Sequence, residues 1–458
     1  MAAVPVRPPS ARRALLAGSV GNFVEWYEFG VYGSFATVIA ARFFTPDGGD
    51  RAQALIATYA AFAIAFFFRP LGALLFGRLA DRTGRRPALV LAVSLMTGAT
   101  ALIGALPAYS AIGALAPWLL TLLRCVQGLS AGGEFGGAVS LLTETAPAGR
   151  RGRHGAWQSF TVALGLLTGA GLAAALATVL SESALYAWGW RVPFLLAVPL
   201  GGVALWLRLR LPETAPPPTP TTWESPDPPA PASAPAPVGA PAPVGAPAPT
   251  DIPGSPRTAG GTGTAGAVVL GIGRIMGWSA AGYTFLVVLP SYLQATLGTT
   301  FQQALAATFV ANLGFAAAIL PAGALSDRVG RRAVMLTGSV LVVLSALPLL
   351  HLLRDPAVCA PVKAALLAVA GAMIGLLAGP GPALLAEMFP TRVRSTGLGL
   401  AYALSNAVFS GCAGLVVTTL VRHTGNPDIP AYYAAGACAL AVPALLTLRP
   451  DDHLRPLR

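Results

Sequence analysis

Twelve apolar stretches, each long enough to cross a bilayer as a helix, divide this chain and leave few folds open to it. Their approximate limits are 14–41, 53–77, 87–106, 115–142, 155–180 and 188–207, then 266–293, 301–325, 333–353, 363–386, 396–421 and 431–448. Hydrophobic residues make up 55% of the 458 positions and charged residues 10%, against roughly 25% charged in a soluble domain. A water-soluble fold of this size needs far more polar surface. A soluble enzyme, a disordered chain and a collagen-like fibre are therefore excluded. The first stretch follows Arg7, Arg12 and Arg13, is too long for a signal-peptide core and carries two glutamates. It reads as an uncleaved span. The expected architecture is an all-α membrane protein with twelve transmembrane helices.

The chain also repeats itself. GRLADRTGRR at 77–86 follows span 2, and GALSDRVGRR at 323–332 follows span 8. Seven of the ten positions are identical, and Asp81 and Asp327 stand 246 residues apart. Glu144, Pro147 and Arg151 after span 4 have the same spacing as Glu387, Pro390 and Arg394 after span 10. This is the pattern of two pseudo-symmetric six-helix bundles with a pathway between them. The expected division is an N-terminal bundle at 1–210, a linker at 211–264 and a C-terminal bundle at 265–458. The linker is rich in Pro and Ala and contains APAPVG twice; a disordered cytoplasmic tether is expected.

The net charge of +12 comes from arginine clusters between the spans, not from a nucleic-acid-binding patch, so no nucleic-acid partner is expected. Placing the N-terminus inside puts 21 arginines in inside segments and 6 Arg/Lys residues in outside ones. That asymmetry predicts a multi-pass protein of a plasma or inner membrane with both termini cytoplasmic. The four cysteines form no C-x-x-C pair or Cys/His cluster. No disulfide framework, metal or cofactor is expected.

The GRLADRTGRR loop and its second copy resemble the signature loops of the major facilitator superfamily. Longer stretches narrow the resemblance: GNFVEWYEFGVYG (21–33), FRPLGALLFGRLADRTGRR (68–86), RCVQGLSAGGEFGGA (124–138), WGWRVPFLLAVPLG (188–201) and EMFPTRVRSTG (387–397). Together they are similar to the metabolite:proton symporter family, and the similarity spans nearly the whole chain apart from the linker. Position 28 is Glu where that family usually has Asp, and FSGCAG (409–414) lacks the glycine pair and proline often found there. The resemblance implies the major facilitator fold, alternating access, and symport of protons with small organic acids, shikimate-like acids or zwitterionic osmolytes. It also implies a latch at the repeated loops, with Gly77, Asp81, Arg82, Arg85, Gly323, Asp327, Arg328 and Arg331 as gating residues. Gly77 and Gly323 are expected to permit close helix approach.

Charges inside spans cost at least ~2.5–3.5 kcal/mol on insertion scales, so each one calls for an explanation. Glu25, Glu28 and Tyr32 share one face of span 1 by their i, i+3, i+7 spacing. Glu25 or Glu28 is the candidate acceptor of the coupled proton. Arg124 in span 4 is its counter-charge or the anchor for a substrate carboxylate; the bland alternative is a fixed ion pair between spans 1 and 4. Gln127 shares a span-4 face with Glu134, which reads as a second proton or substrate site or as a partner for Arg69. Arg69 itself reads as a snorkelling or structurally paired residue. Arg274 in span 7 and Asn406 in span 11 complete the substrate-binding candidates, with an interfacial anchor as the alternative for Arg274. Trp26, Tyr27, Trp278 and Tyr283 read as packing or belt aromatics, with pathway lining as the alternative.

No H-E-x-x-H, G-x-S-x-G or Walker A pattern is present, and no segment can fold into a nucleotide-binding domain. The expected activity is proton-coupled symport of a small polar metabolite by a monomer in the lipid bilayer. An organic acid is favoured, because two intramembrane arginines could hold carboxylates. The rival readings are a proton-coupled exporter, against which GLLTGAGLAAA (165–175) lacks the Gly-Pro pair exporters carry, and a non-transporting sensor.

Overall fold

The computed structural model describes residues 11–46, 49–132, 134–210, 263–391, 393–449, 451–455 and 457; the side chains of residues 11–18, Asp81, Arg85 and Glu134 lie outside the described set. The expected linker falls on residues 211–262, which are also outside it, and span 7 starts at Thr264.

The chain folds as twelve membrane-crossing helical spans. Span 1 is Ala11–Ser34, extended by Ala36–Ile39 and a π-helical turn at Ala40–Phe44. Span 2 is Arg51–Thr83 and span 3 Arg85–Ala105. Span 4 is split into Leu115–Ala131 and Glu134–Glu144. Span 5 is Arg151–Val179 and span 6 Arg191–Leu209. Span 7 joins Thr264–Tyr283 to Leu289–Leu297 through a π-helical segment, Thr284–Val288. Spans 8 and 9 are Phe301–Val329 and Arg331–Arg354. Span 10 is Ala360–Ala378 continued by Gly381–Met388. Span 11 runs Arg394–Ser405, a π-helical Asn406–Gly411, then Ala413–Thr424. Span 12 is Ile429–Leu446. Ten of the spans among the described residues are long and apolar enough to cross a membrane by themselves. The other two are span 1 and the interrupted span 4.

The repeated loops show why their sequence is shared. Spans 2 and 8 end at Gly84 and Gly330, with φ of 95° and 92°, and the next helix begins at the following residue. Only glycine adopts that backbone without strain. A tight reversal is thus built into both copies of D-R-x-G-R-R.

Close helix contact positions the interior. A Cβ on Gly128 or Gly132 would collide with the Ala65 or Arg69 carbonyl of span 2. The four-residue spacing puts both glycines on one face of span 4, where backbones meet directly. Span 10 repeats this, with Gly371 seated on the Ala311 carbonyl of span 8. Arg69 is thereby pressed into the N-terminal bundle rather than left to reach for water. Span 7 is the most enclosed, with 89% of its apolar window buried against 33% for span 6. Leu74, Trp118, Val269 and Leu440 point outward as lipid-facing side chains. Across the bundles, span 5 packs on spans 8 and 10, span 4 on span 11, and span 1 on span 7.

One expectation fails here. Gly323 does lie against Ala156 and Gly152 of span 5, but Gly77 is exposed with nothing near its missing Cβ. The first copy of the motif makes no close approach at that glycine, because span 2 presents that face outward.

Candidate functional site

The site lies in a cleft between the bundles. Its N-terminal wall is Asn22, Glu25 and Trp26 of span 1, Arg69 of span 2, and Ala131, Gly132 and Phe135 of span 4; Gly399, Tyr402 and Ala403 of span 11 face them. Arg69 Nη2 lies 2.9 Å from Glu25 Oε1, and both side chains are buried. The guanidinium carbon stands 4.4 Å from the Phe66 ring centroid, 4.7 Å from Phe29 and 5.5 Å from Trp26. Three rings therefore hold the cation in place of water. Phe135 and Tyr402 stack across the cleft with centroids 3.4 Å apart, and Tyr402 also touches Trp278. Tyr283 of span 7 packs on Trp26, Phe62 and Phe66, and its buried hydroxyl has no hydrogen-bond partner among the described residues.

Behind this cleft is a second charged layer. Glu28 is 1% exposed, and neither carboxylate oxygen has a hydrogen-bond partner among the described residues. Thr100 stands nearby, but its hydroxyl donates to the Met96 carbonyl. Arg124 does not close onto Glu28. Its Nη1 donates to Gln127 Oε1 at 2.7 Å, and Gln127 Nε2 in turn donates to Thr100 Oγ1 at 2.5 Å. The guanidinium lies over Phe29, Tyr32 and Phe62, 4.3 Å from the Tyr32 centroid. The Tyr32 hydroxyl donates to the Thr58 carbonyl. Arg124, Gln127 and Tyr32 thus frame Glu28 and stand off the cleft wall.

In the C-terminal bundle the polar groups are neutral. Asn406 lies in the π-helical part of span 11, donating to the Tyr402 carbonyl at 2.9 Å and accepting from Ser410 at 2.8 Å. Ser279 and Ser405 hydroxyls are 3.1 Å apart. Asn406 therefore supports Tyr402 from behind. Arg274 is elsewhere. It donates to the Ala444 carbonyl and, at 2.8 Å, to Thr447 Oγ1, which caps the end of span 12. The expectation of a cavity-facing Arg274 does not fit this geometry: its position on the helix turns it towards span 12. The Glu134 side chain lies outside the described residues; Arg69 pairs with Glu25.

The face bearing the repeated loops is closed by ion pairs. Asp327 accepts from the Gly152 and Arg153 backbone N–H groups at 2.7 and 2.9 Å, at the N-terminus of span 5. Arg331 holds Asp327 at 2.7 Å and Glu387 at 3.1 Å. Two further contacts cross the bundles as a pseudo-symmetric pair: Arg394 to Glu144 at 2.5 Å and Arg151 to Glu387 at 3.7 Å. Arg328 and Arg82 are exposed and Gly77 takes no part, while Asp81 and Arg85 fall on undescribed side chains. The opposite face is closed by Arg422 on Asp50 at 2.6 Å, with Gln53 alongside, by Thr37 on Gln294, and by Tyr59 with Ser291. Contacts thus join the bundles on both faces, and the cleft between them admits about one water.

Sequence reasoning underweighted Arg69 and did not single out Asn22, Phe135 or Tyr402. The helix bounds put the two at one depth. Arg69 lies fourteen residues from the span-2 end at Thr83, and Glu25 fourteen from the span-1 start at Ala11. Both are thus about 21 Å from the same face; the apolar limits read from the sequence end short of both helix ends and hid the match.

Residues 14–216 match the family described as sugar (and other) transporter, and residues 267–458 match the major facilitator superfamily. The chain is 34% identical over 460 residues to the ectoine/proline transporter ProP of Corynebacterium glutamicum, covering 99% of this chain and 87% of that one. It is 35% identical over 408 residues to the alpha-ketoglutarate permease of Escherichia coli, covering 89% and 87%. It is 32% identical over 450 residues to the citrate-proton symporter of Klebsiella pneumoniae, covering 97% and 94%. A crystal structure of a D-xylose-proton symporter superposes with a TM-score of 0.68 at 19% identity, covering 95% of this chain and 96% of that one; at that identity the likeness concerns the fold. With the duplicated bundles, the two gated faces and relatives matched along almost their full length, the chain belongs to the major facilitator superfamily, in its metabolite:proton symporter family.

Proposed function

We propose that this protein is a proton-coupled symporter of a small carboxylate-bearing metabolite, working by alternating access, with the repeated loops and both termini on the cytoplasmic side. The observation that carries the reading is the Arg69–Glu25 pair in the wall of the cleft. A proton arriving on Glu25 removes the negative partner, and Arg69 is then free to bind a substrate carboxylate. Losing the substrate inside lets the pair re-form and expels the proton. Each ligand thus favours the other, which is what obligatory coupling requires. Glu28, buried without a hydrogen bond beside Arg124, is placed to relay or share that proton. The loop-face ion pairs act as the inner gate and Arg422–Asp50 as the outer one.

The substrate class follows from what the cleft offers. Arg274 is turned away and Arg124 stands behind Phe29 and Tyr32, so among the described residues one cation, Arg69, faces the cleft. That weakens the case for a polycarboxylate. The rings of Trp26, Phe135 and Tyr402 suit a cationic end by cation–π attraction, and this favours a betaine- or proline-like zwitterion over the organic acid suggested by the arginine count. Relatives of both kinds are consistent with a carboxylate as the shared determinant.

The test uses purified protein in weakly buffered liposomes, with betaine, proline, α-ketoglutarate and citrate added one at a time. External alkalinisation with a zwitterion supports the reading. Alkalinisation with citrate alone reverses the substrate preference, and efflux of a preloaded compound against an imposed pH gradient replaces symport with export.

A further inference from the structure

A second cavity lies wholly inside the N-terminal bundle, walled by Gly21 and Glu25 of span 1, Ala92 and Val93 of span 3, and Ser130 and Ala131 of span 4. Only Glu25 and Ala131 also line the inter-bundle cleft. Glu25 therefore borders both spaces. Depth gives the second space a direction. Ala92 is seven residues from the start of span 3 at Arg85 and Gly21 ten from the start of span 1. The residues that line the cavity thus stand about 10 Å to about 20 Å above the loop face. Its walls at Gly21, Ala92 and Ala131 carry little or no side chain, and it has room for about one water. The Ser130 hydroxyl spends its proton on the Val126 carbonyl at 2.9 Å and keeps lone pairs to accept from such a water.

We propose that the proton leaves Glu25 towards the cytoplasm through this cavity between spans 1, 3 and 4, by a route separate from the one the substrate takes between the bundles. The inference rests on the symport reading above. In the step, the Glu25 O–H bond breaks and its proton passes to a water in the cavity, which hands it on to cytoplasmic water. The carboxylate left behind re-pairs with Arg69. A substrate in the cleft sits between Glu25 and the inter-bundle exit, so a proton using that exit would have to wait for it or pass it. The intra-bundle cavity removes the conflict. It also explains the division of the site: Arg69 lines the cleft, and Glu25 is the ionisable group among the described residues that lines both spaces. Among the described residues the titratable groups facing Glu25 include Arg69 and Glu28 of the same bundle and Tyr283 and Tyr402 of the other.

The test compares wild type with Ala92→Leu, whose larger side chain fills the one-water space. Two rates are read for whichever of betaine, proline, α-ketoglutarate or citrate gives alkalinisation. One is accumulation driven by a pH gradient. The other is exchange of labelled for unlabelled compound at equal pH on both sides, which needs no net proton release. Accumulation slowed about tenfold, the worth of one hydrogen-bonded water, with exchange near the wild-type rate, supports the separate route. Both rates unchanged overturn it. If both rates collapse, the decision passes to Ala92→Cys and Ala403→Cys in a chain whose four native cysteines are replaced. Labelling at position 92 by a small cationic thiol reagent from the cytoplasmic side, not slowed by substrate that protects position 403, supports the route. No labelling at 92, or protection equal to that at 403, overturns it. A wild type that moves no protons with any compound defeats the symport reading, and the proposal falls with it; a coupled wild type with an indifferent Ala92→Leu defeats the proposal alone.

Discussion

The two bundles share a backbone plan and differ in what they bury at mid-membrane. The N-terminal one encloses Glu25, Glu28, Arg69 and Arg124. At the matching depth the C-terminal one encloses Ser279, Ser405, Asn406, Ser410, Thr308 and Asn312; of its buried arginines among the described residues, Arg331 and Arg394 sit at span starts and Arg274 reaches to the end of span 12. Duplication preserved the turns at Gly84 and Gly330 and the close contacts of Gly128 and Gly371, because those are needed for any such bundle to pack. It did not preserve charge. Holding four ionisable groups in a membrane interior is costly, and one bundle carrying them suffices when the other supplies neutral hydrogen bonds and aromatic surface. Under the proposed mechanism the N-terminal half would handle the proton, and the C-terminal half would shape and close the cleft.

The strongest way to break this division is Arg69→Ala. Removing one partner of a buried pair leaves Glu25 uncompensated, an effect of ~3–5 kcal/mol. Uptake is expected to fall by at least about 100-fold, whereas Arg69→Lys, lacking the planar fork, recovers a part of it. An uptake assay at saturating substrate, with membrane abundance measured in parallel, checks this. Substantial transport by Arg69→Ala would remove Arg69 from the substrate site.

Next in size is Glu25→Gln. It keeps the shape of the side chain but cannot exchange a proton, so accumulation against a gradient is expected to vanish while exchange at equal pH survives. Glu28→Gln tests the second acid by the same two assays, and a smaller loss is expected because Glu28 does not border the cleft. Equal behaviour of the two variants would merge them into one coupled site.

The inner gate offers a test in which both halves contribute. Glu144→Gln combined with Arg151→Gln removes one end of each cross-bundle pair. At about 0.5 kcal/mol for each of these two contacts, about 1 kcal/mol together, the inward-open population should rise about fivefold. Faster labelling of Ala403→Cys from the cytoplasmic side measures it. The paired spacing of Glu144 and Arg151 with Glu387 and Arg394 made this contact legible as a repeat, but not as a crossed exchange in which each glutamate meets the other half's arginine.

The same limit explains what else the sequence hid. Span count, order and the twin loops follow from hydropathy and repetition, which are properties of one chain read along its length. Which arginine meets which carboxylate depends on helix azimuth. Arg69, Arg124 and Arg274 were indistinguishable by hydropathy. Yet one pairs with Glu25, one is capped by Gln127, and one turns to Thr447. Depth arithmetic gives height alone. The π-helical segments at Thr284–Val288 and Asn406–Gly411 then insert extra residues into spans 7 and 11. That rotates everything beyond them, and no composition signal marks where it happens.

Those segments carry the smallest expected effect, and it sharpens the comparison. Asn406 ties Tyr402 to Ser410 across the π-helical turn, and Ser279 ties spans 7 and 11 through Ser405. Asn406→Ala and Ser279→Ala each remove neutral hydrogen bonds of about 1 kcal/mol. Because these bonds position Tyr402 and move no proton, KM should rise a few-fold, with coupling intact. A pH-gradient dependence equal to that of wild type, measured together with the KM change, assigns the C-terminal core to substrate fit. Loss of coupling in either variant would instead spread the proton pathway over both bundles, and the N-terminal monopoly on charge would then reflect where the proton rests rather than where it travels.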